Sequence, residues 1–433
     1  MTISHMNNSP INFYKQQGQV APKWPYFIFL LLFGYNFVLP HSNQIISAIA
    51  LSILALISIL TISGNKIASL KGIFFAFLIA SLIHLGYVIY GFTVHQDAQI
   101  LLITVFTYFL MPLIWIIISV WSITKVNLNR IVNIMAICTI LACGSVAIYF
   151  YLFLNFGSNA VSFFVKEANV VISDGKASAA MYVYATLIFS SSAFFAAPNV
   201  IRNVPYRIVL LVVISATALT SGRSALIVSL AIGTLIGVGM TVIAALQGRR
   251  SKYAISLSTY VIILLAVTVV ATILDALVVE IDLVETLNEI LEKIILGGGV
   301  ERTDQYAALI QGISETSGLG AGHGIGVSLV RDYSYPWRYE LFFLSIIYRV
   351  GIFSSAIILI PYIMYVSGFM RRALYGKVES QQTFLFGGFC ASMFAAATNP
   401  YPESFIFQWC YIFPIIAFFL SDPAARKHSD QST

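Results

Sequence analysis

Glu301-Arg302, then Gly318-Leu319-Gly320-Ala321-Gly322-His323-Gly324-Ile325-Gly326, then Arg331-Asp332-Tyr333-Ser334-Tyr335-Pro336-Trp337-Arg338-Tyr339-Glu340: these segments belong to one polar stretch set between runs of membrane-grade hydrophobicity. The stretch opens at Glu280 with an acidic segment carrying apolar residues at Ile281, Val284, Leu287, Leu291 and Ile294. That spacing predicts an amphipathic helix, stopped by Gly297-Gly298-Gly299. A second short helix is expected over Thr303 to Thr316, with Tyr306, Leu309, Ile310 and Ile313 on one side. Any chemistry the chain performs is expected to concentrate here.

The surroundings set the fold class. Of 433 residues, 59% are hydrophobic and 10% charged, where a soluble domain carries about 25% charged residues. Mean hydropathy is +0.87. Apolar runs long enough for about 30 Å of hydrocarbon fall near residues 25–40, 44–63, 70–92, 98–123, 130–156, 177–197, 204–220, 224–246, 253–279, 339–367, 382–398 and 404–421. Backbone groups in lipid must be satisfied within each segment, so these twelve runs read as helices. The expected architecture is all-α and polytopic. A tail (1–24) precedes nine spans (25–279), the polar loop (280–337), three further spans (338–421) and a second tail (422–433). No cleavable leader is read at the start.

Lysines and arginines fix the expected orientation. With the N-terminus cytoplasmic, the inner segments hold Lys15 and Lys23, Lys66 and Lys71, Lys125 and Arg130, Arg202 and Arg207, Arg249, Arg250 and Lys252, Arg371, Arg372 and Lys377, and Arg426 and Lys427. Each has at least two, which satisfies the positive-inside rule and puts the 280–337 loop outside. The net charge of +6 is thereby explained without nucleic acid. Trp24, Trp115, Trp121 and Trp409 stand near expected span ends, as an interfacial aromatic belt would place them. The four cysteines all lie in apolar runs and read as small buried hydrophobes.

Several polar residues need a reason. The turn Thr220-Ser221-Gly222-Arg223-Ser224 joins two runs with no linker. Its predecessor covers only about 20 Å at 1.5 Å per residue, so Arg223 is expected to be recessed and to face a cavity, the alternative being a side chain that snorkels to headgroups. Arg302 stands at a helix N-terminus, where a cation is unfavourable without an anion beside it; Glu301 or a ligand phosphate could serve. The glycine run lacks the Gly-Lys-Ser/Thr ending of a nucleotide loop and reads as close backbone approach or a tight return, with His323 an isolated loop residue. Glu340 opens the tenth run, where desolvation would fit it for proton transfer; the alternative is an ion pair with Arg338 or Arg331. Arg349, about 13 Å deeper by helical rise, requires a partner, and a structural ion pair is expected. Several arginines around one cavity suit a pyrophosphate, which guanidinium forks grip bidentately. No His/Asp/Glu grouping has metal spacing, so neither metal nor cofactor is expected.

With these residues in place, the sequence resembles the O-antigen polymerase and O-antigen ligase family of bacterial surface-polysaccharide enzymes. The resemblance rests on Thr220-Ser221-Gly222-Arg223-Ser224-Ala225-Leu226, on one long external loop after the ninth of twelve runs, and on Glu301-Arg302 followed by Gly318-Leu319-Gly320-Ala321-Gly322 and Tyr348-Arg349-Val350-Gly351-Ile352. It implies a GT-C-like, metal-independent glycosyltransferase in the bacterial inner membrane. Undecaprenyl-pyrophosphate-linked oligosaccharides would be its substrates, the lipid bilayer its environment, and a chain-length regulator its protein partner. By the same resemblance Arg223 and Arg302 would hold the pyrophosphate; Arg338 and Arg331, expected on the same outer face, are the further candidates for it. The ligase branch carries a histidine just before the tenth span; here Arg338-Tyr339-Glu340 stands instead, which favours the polymerase branch with Glu340 as base. His323, the other acid-base candidate, lies earlier in the loop. A ligase and a transporter of lipid-linked sugars are the competing readings.

Overall fold

The computed structural model describes residues 23–39, 44–62, 70–161, 170–173, 176–179, 183–221, 223–248, 300–331 and 335–421. The ninth apolar run, the acidic segment from Glu280, the glycine stop at 297–299 and both tails lie outside them. The chain is helical: α1 (Trp24–Val38), α2 (Gln44–Thr61), α3 (Lys71–His95), α4 (Ala98–Lys125), α5 (Leu128–Phe156), α6 (Val183–Ala196), α7 (Val204–Thr220), α8 (Ser224–Leu246), α9 (Val300–Glu315), α10 (Phe342–Val350), α11 (Ile352–Ile358), α12 (Ile360–Leu374), α13 (Ser380–Ala396) and α14 (Trp409–Leu420). A two-stranded antiparallel hairpin, β1 (Val170–Ser173) with β2 (Lys176–Ala179), pairs Val170 with Ala179 between α5 and α6. It replaces the start expected for the sixth span.

Among the described residues five helices are long and apolar enough to cross a membrane, namely α2, α3, α4, α5 and α8; the bent pair α11–α12 makes a sixth if counted as one span. This is the build of a multi-pass membrane protein. Helices α1, α6, α7 and α14 are apolar but shorter. The tenth run is not one helix, as its hydrophobicity suggested. Helix α10 stops at Val350, Gly351 turns the chain at φ +78°, and α11 and α12 meet at 45°. Pro361, in the first turn of α12, has no N–H to continue the α11 ladder.

The bundle is built around α6, all of whose side chains are buried. Its run Ser190-Ser191-Ser192-Ala193 admits neighbours that carry glycine at the crossing. A Cβ at Gly233 of α8 would lie 2.3 Å from the Ser192 carbonyl oxygen, and one at Gly387 of α13 would lie 2.5 Å from Ala196 Cβ. Ser192 Oγ donates to the Gly387 carbonyl at 2.8 Å. Small residues at helix crossings let backbones approach until dispersion and hydrogen bonds hold them.

The tryptophans depart from the expected belt. Trp115, Trp121 and Trp409 are fully buried, and only Trp24 is exposed. Trp409 packs on Phe33, Phe37 and Phe189, and Trp115 Nε1 donates to the Phe405 carbonyl at 2.7 Å. For Trp115 burial inside the bundle satisfies both ring and N–H, and hydropathy alone cannot separate such a site from an interface. The cysteines are free; Cys138, Cys143 and Cys410 are buried and Cys390 half-buried.

The glycine run is a docked backbone segment. Amides of Ala321 and Gly322 donate to the carbonyls of Tyr348 and Arg349 at 2.8 and 2.9 Å, capping the last turn of α10, and His323 N–H reaches the Tyr87 carbonyl of α3 at 3.0 Å. Helix ends leave carbonyls unpaired, and an apolar interior penalises them. Gly322 has φ +99° and its missing Cβ faces Gly91 Cα at 2.6 Å; a Cβ at Gly91 would stand 2.0 Å from the His323 oxygen. Gly91→Ala is therefore expected to destabilise the protein by about 1–3 kcal/mol. Gly86→Ala on the same helix, which meets nothing within 4 Å, should be neutral. Thermal unfolding of both variants in detergent checks the contrast; equal midpoints would refute the docking.

Candidate functional site

Two polar assemblies lie one above the other where the loop meets the bundle. The deeper one begins with Pro112, which cannot donate to the carbonyl four residues earlier, that of Tyr108. The ladder there widens into a π turn over Phe106–Leu110, a local form often found at functional positions. It carries Tyr108, whose hydroxyl accepts a hydrogen bond from Arg349 Nη1 at 2.5 Å. Arg349 also donates through Nε to the Ser345 carbonyl at 3.0 Å and through Nη2 to Ser345 Oγ at 2.8 Å, and pairs with Glu403 Oε1. Arg349 is 0% exposed and Glu403 2%. The ion pair required of Arg349 is present, and its carboxylate comes from the single turn Tyr401–Glu403 between α13 and α14.

His323 sits in the same assembly. Its ring stacks on Tyr108 with centroids 4.1 Å apart, and its Nε2 lies 2.9 Å from His84 Nδ1, so one nitrogen donates and the other accepts. It is fully buried. Burial first, then the charges of His84 and Arg349, hold its imidazole well below the ordinary histidine range, so it is neutral near pH 7. The residue expected to be an isolated loop histidine is thus one half of an enclosed pair.

The shallower assembly surrounds Glu340. Arg302 Nε donates to its Oε2 at 2.7 Å and Arg331 Nη2 to its Oε1 at 2.6 Å. Its own N–H donates to Gln305 Oε1 at 2.9 Å. Arg302, Gln305 and Leu309 share the inward face of α9, while Tyr306 and Ile310 are exposed. The sequence pattern put those two on the packing face. Polar Gln305, needed beneath Glu340, takes the place an apolar count assigns elsewhere. The anion beside Arg302 is Glu340, contributed from 38 residues further along; the side chain of Glu301 lies outside the described residues. Of the two partners expected if Glu340 were ion-paired, Arg331 is one and Arg338 is not.

Arg338, two residues before Glu340, turns to the deep assembly instead. Its Nε is 3.4 Å from Glu403 Oε2 and its guanidinium lies 4.2 Å from the centre of the Tyr335 ring. Glu403 therefore has a buried arginine on one oxygen and a half-exposed one on the other. Arg223 is placed apart, capping α8, with its guanidinium 5.7 Å from the Tyr184 ring of α6. The structure brings Arg302, Arg331 and Glu340 into one cluster, ties Arg338 to it through the loop, encloses His323 below, and holds Arg223 at Tyr184.

A cavity of about 160 Å³ lies beside both levels. Phe342 and Phe343, just past Glu340, form part of its wall, as do Pro402, next to Glu403, and His84, Tyr108 and Gln408; the rest of the lining is chiefly apolar. Among the described residues no group of three or more histidine, cysteine or acidic side chains is placed to hold a metal ion.

Glu403, His84 and Tyr108 are absent from the sequence-level candidates. A lone acid in the short Tyr401-Pro402-Glu403-Ser404 turn and a lone histidine in an apolar run were the signals available. Both become informative once Arg349 is known to need a counter-charge. The sequence matches no family model and no curated protein.

Removing one partner of a buried pair strands the other charge, at about 3–5 kcal/mol. Glu403→Gln and Arg349→Met are each expected to lose that much stability. The double variant should recover a large part of it. Denaturation in detergent provides the comparison, and purely additive losses would contradict the pairing.

Proposed function

We propose that this protein is a polymerase acting on polyprenyl-pyrophosphate-linked oligosaccharides, a metal-independent glycosyltransferase of GT-C-like, twelve-span architecture. In this reading it lies in a bacterial inner membrane with both termini cytoplasmic, and its loop site faces outward. The observation that carries the reading is the group of arginines Arg302, Arg331 and Arg338, each paired with a carboxylate whose near neighbours in the chain, Phe342 after Glu340 and Pro402 before Glu403, line an apolar cavity. Guanidinium forks match phosphate oxygens, and a cavity with an apolar wall suits the first part of an isoprenoid tail. Arg223, held beside the Tyr184 ring of α6, is in this reading a further cation of the donor site.

The growing chain is seated by its pyrophosphate on Arg302 and Arg331, with Arg223 and Arg338 flanking. Glu340 takes the proton from a hydroxyl of the next lipid-linked repeat unit. The resulting oxygen forms the new bond to the anomeric carbon as the bond from that carbon to the pyrophosphate oxygen breaks. The electron pair leaves with the pyrophosphate, whose added charge the arginines stabilise. His323, enclosed between Tyr108 and His84, takes no proton from the acceptor; with Arg349 and Glu403 it fixes the floor of the site. A chain-length regulator is the protein partner consistent with this role.

Cells lacking the gene should display a single capped repeat unit where wild type displays a ladder on a polysaccharide gel. Complementation with Arg302→Ala is expected to leave chain growth reduced by about 100-fold, and Glu340→Gln to abolish it, both at normal membrane levels. Full activity of Glu340→Gln would remove the base assignment. Long chains accumulating on the lipid carrier would instead identify a ligase that transfers them to lipid A-core. An unchanged gel would favour a transporter of lipid-linked sugars.

A further inference from the structure

The two arginine–carboxylate assemblies differ in one respect that bears on how the site is loaded. Arg349 and Glu403 are sealed, with side chains 0% and 1% exposed. Arg302, Arg331 and Glu340 are 25%, 38% and 17% exposed, so solvent and a ligand can reach the shallow cluster and not the deep one. Within the shallow cluster both carboxylate oxygens are taken, one by each guanidinium. Among the described residues Glu340 is the ion-pair partner of both arginines. The three groups come from the start of α9, the loop after it and the residues before α10, so the carboxylate closes a clasp between separate segments. As it stands, each oxygen of the proposed base already accepts from a guanidinium, and the proposed anion seat already holds an anion.

Resting on the reading of this site as a pyrophosphate-binding glycosyltransferase centre, we propose that Glu340 occupies the anion seat of the unloaded enzyme and is displaced from Arg302 and Arg331 by the incoming pyrophosphate group. The same exchange frees the carboxylate to receive the acceptor's proton, so base and leaving-group stabiliser become available together and only when the donor is seated. Exchange is feasible on charge grounds. A pyrophosphate brings more than one negative charge and several oxygens in the spacing that guanidinium forks accept, whereas Glu340 brings one charge. Partly exposed ion pairs are also weak enough to be traded. The bond from Glu340 N–H to buried Gln305 Oε1 keeps the backbone in place, so the released side chain swings without leaving the site. Donor binding before acceptor activation follows from the geometry, because an acceptor arriving first meets a masked carboxylate.

Direct binding tests this without turnover. The full-length protein is placed in lipid nanodiscs and titrated with inorganic pyrophosphate and, separately, with a short polyprenyl pyrophosphate. If Glu340 competes for the seat, Glu340→Gln binds both probes more tightly than wild type, on the order of tenfold, and Arg302→Gln binds both more weakly. Glu340→Asp, one methylene shorter and unable to span both guanidiniums, should shift in the same direction as Glu340→Gln and serves if the latter fails to fold. Wild-type binding that needs Arg302 but is unchanged or weakened in both Glu340 variants overturns the exchange and leaves the pyrophosphate site standing. Failure of wild type to bind either probe removes the site reading and the exchange with it. A gain confined to inorganic pyrophosphate overturns the lipid-borne donor as the displacing ligand.

Discussion

A guanidinium enclosed in a helix bundle dictates much of what surrounds it. Arg349 cannot be left unpaired there, since an unpaired buried charge costs several kcal/mol, and each of its three nitrogens is engaged, by Ser345 on its own helix, Tyr108 on α4, and Glu403 from the turn before α14. Satisfying one side chain therefore joins three elements that are far apart in sequence. Tyr108 is presented by a π turn that Pro112 makes favourable, and its ring receives His323, which brings the glycine loop down onto α3. The loop in turn caps α10 at the carbonyls of Tyr348 and of Arg349 itself. Charge pairing, helix capping and loop docking close on the same few residues.

That floor gives the shallower cluster its geometry. Glu403 is shared between buried Arg349 and half-exposed Arg338, and Arg338 stands two residues before Glu340 in the chain. Glu340 stands where the loop ends and α10 begins, two residues before the first wall residue of the cavity. A ligand with a pyrophosphate head and an apolar tail would meet arginines and an apolar wall over a short distance. An enzyme that splits a glycosyl–pyrophosphate bond needs this juxtaposition of cationic and apolar surface, and pre-placed guanidiniums stabilise a departing anion more effectively than water that must reorganise.

The membrane-length helices and the need of Arg349 for a partner were legible from composition and run length, because both follow from the cost of polar groups in hydrocarbon. The partner was not legible: Glu403 lies 54 residues away in a turn too short to draw notice. His84 and His323 are 239 residues apart, and nothing local marks them as a pair. The glycine run was read as close approach or a tight return, and it is both; its contacts with Gly91 and with the end of α10 depend on tertiary placement. The tryptophans misled because an apolar residue near a span end is equally suited to an interface and to a core. The inward face of α9 misled because Gln305 is there for a hydrogen bond, which an apolar periodicity does not count.

The most direct measurement is turnover by the purified protein, reconstituted in lipid vesicles with a single lipid-linked repeat unit as both donor and acceptor. The account requires oligomers of two and more repeats on the lipid carrier, one polyprenyl pyrophosphate released for each new linkage, and about 100-fold slower product formation by Arg302→Ala. Release of free sugar without elongation, or passage of intact lipid-linked units across the bilayer with no new linkage, would contradict it.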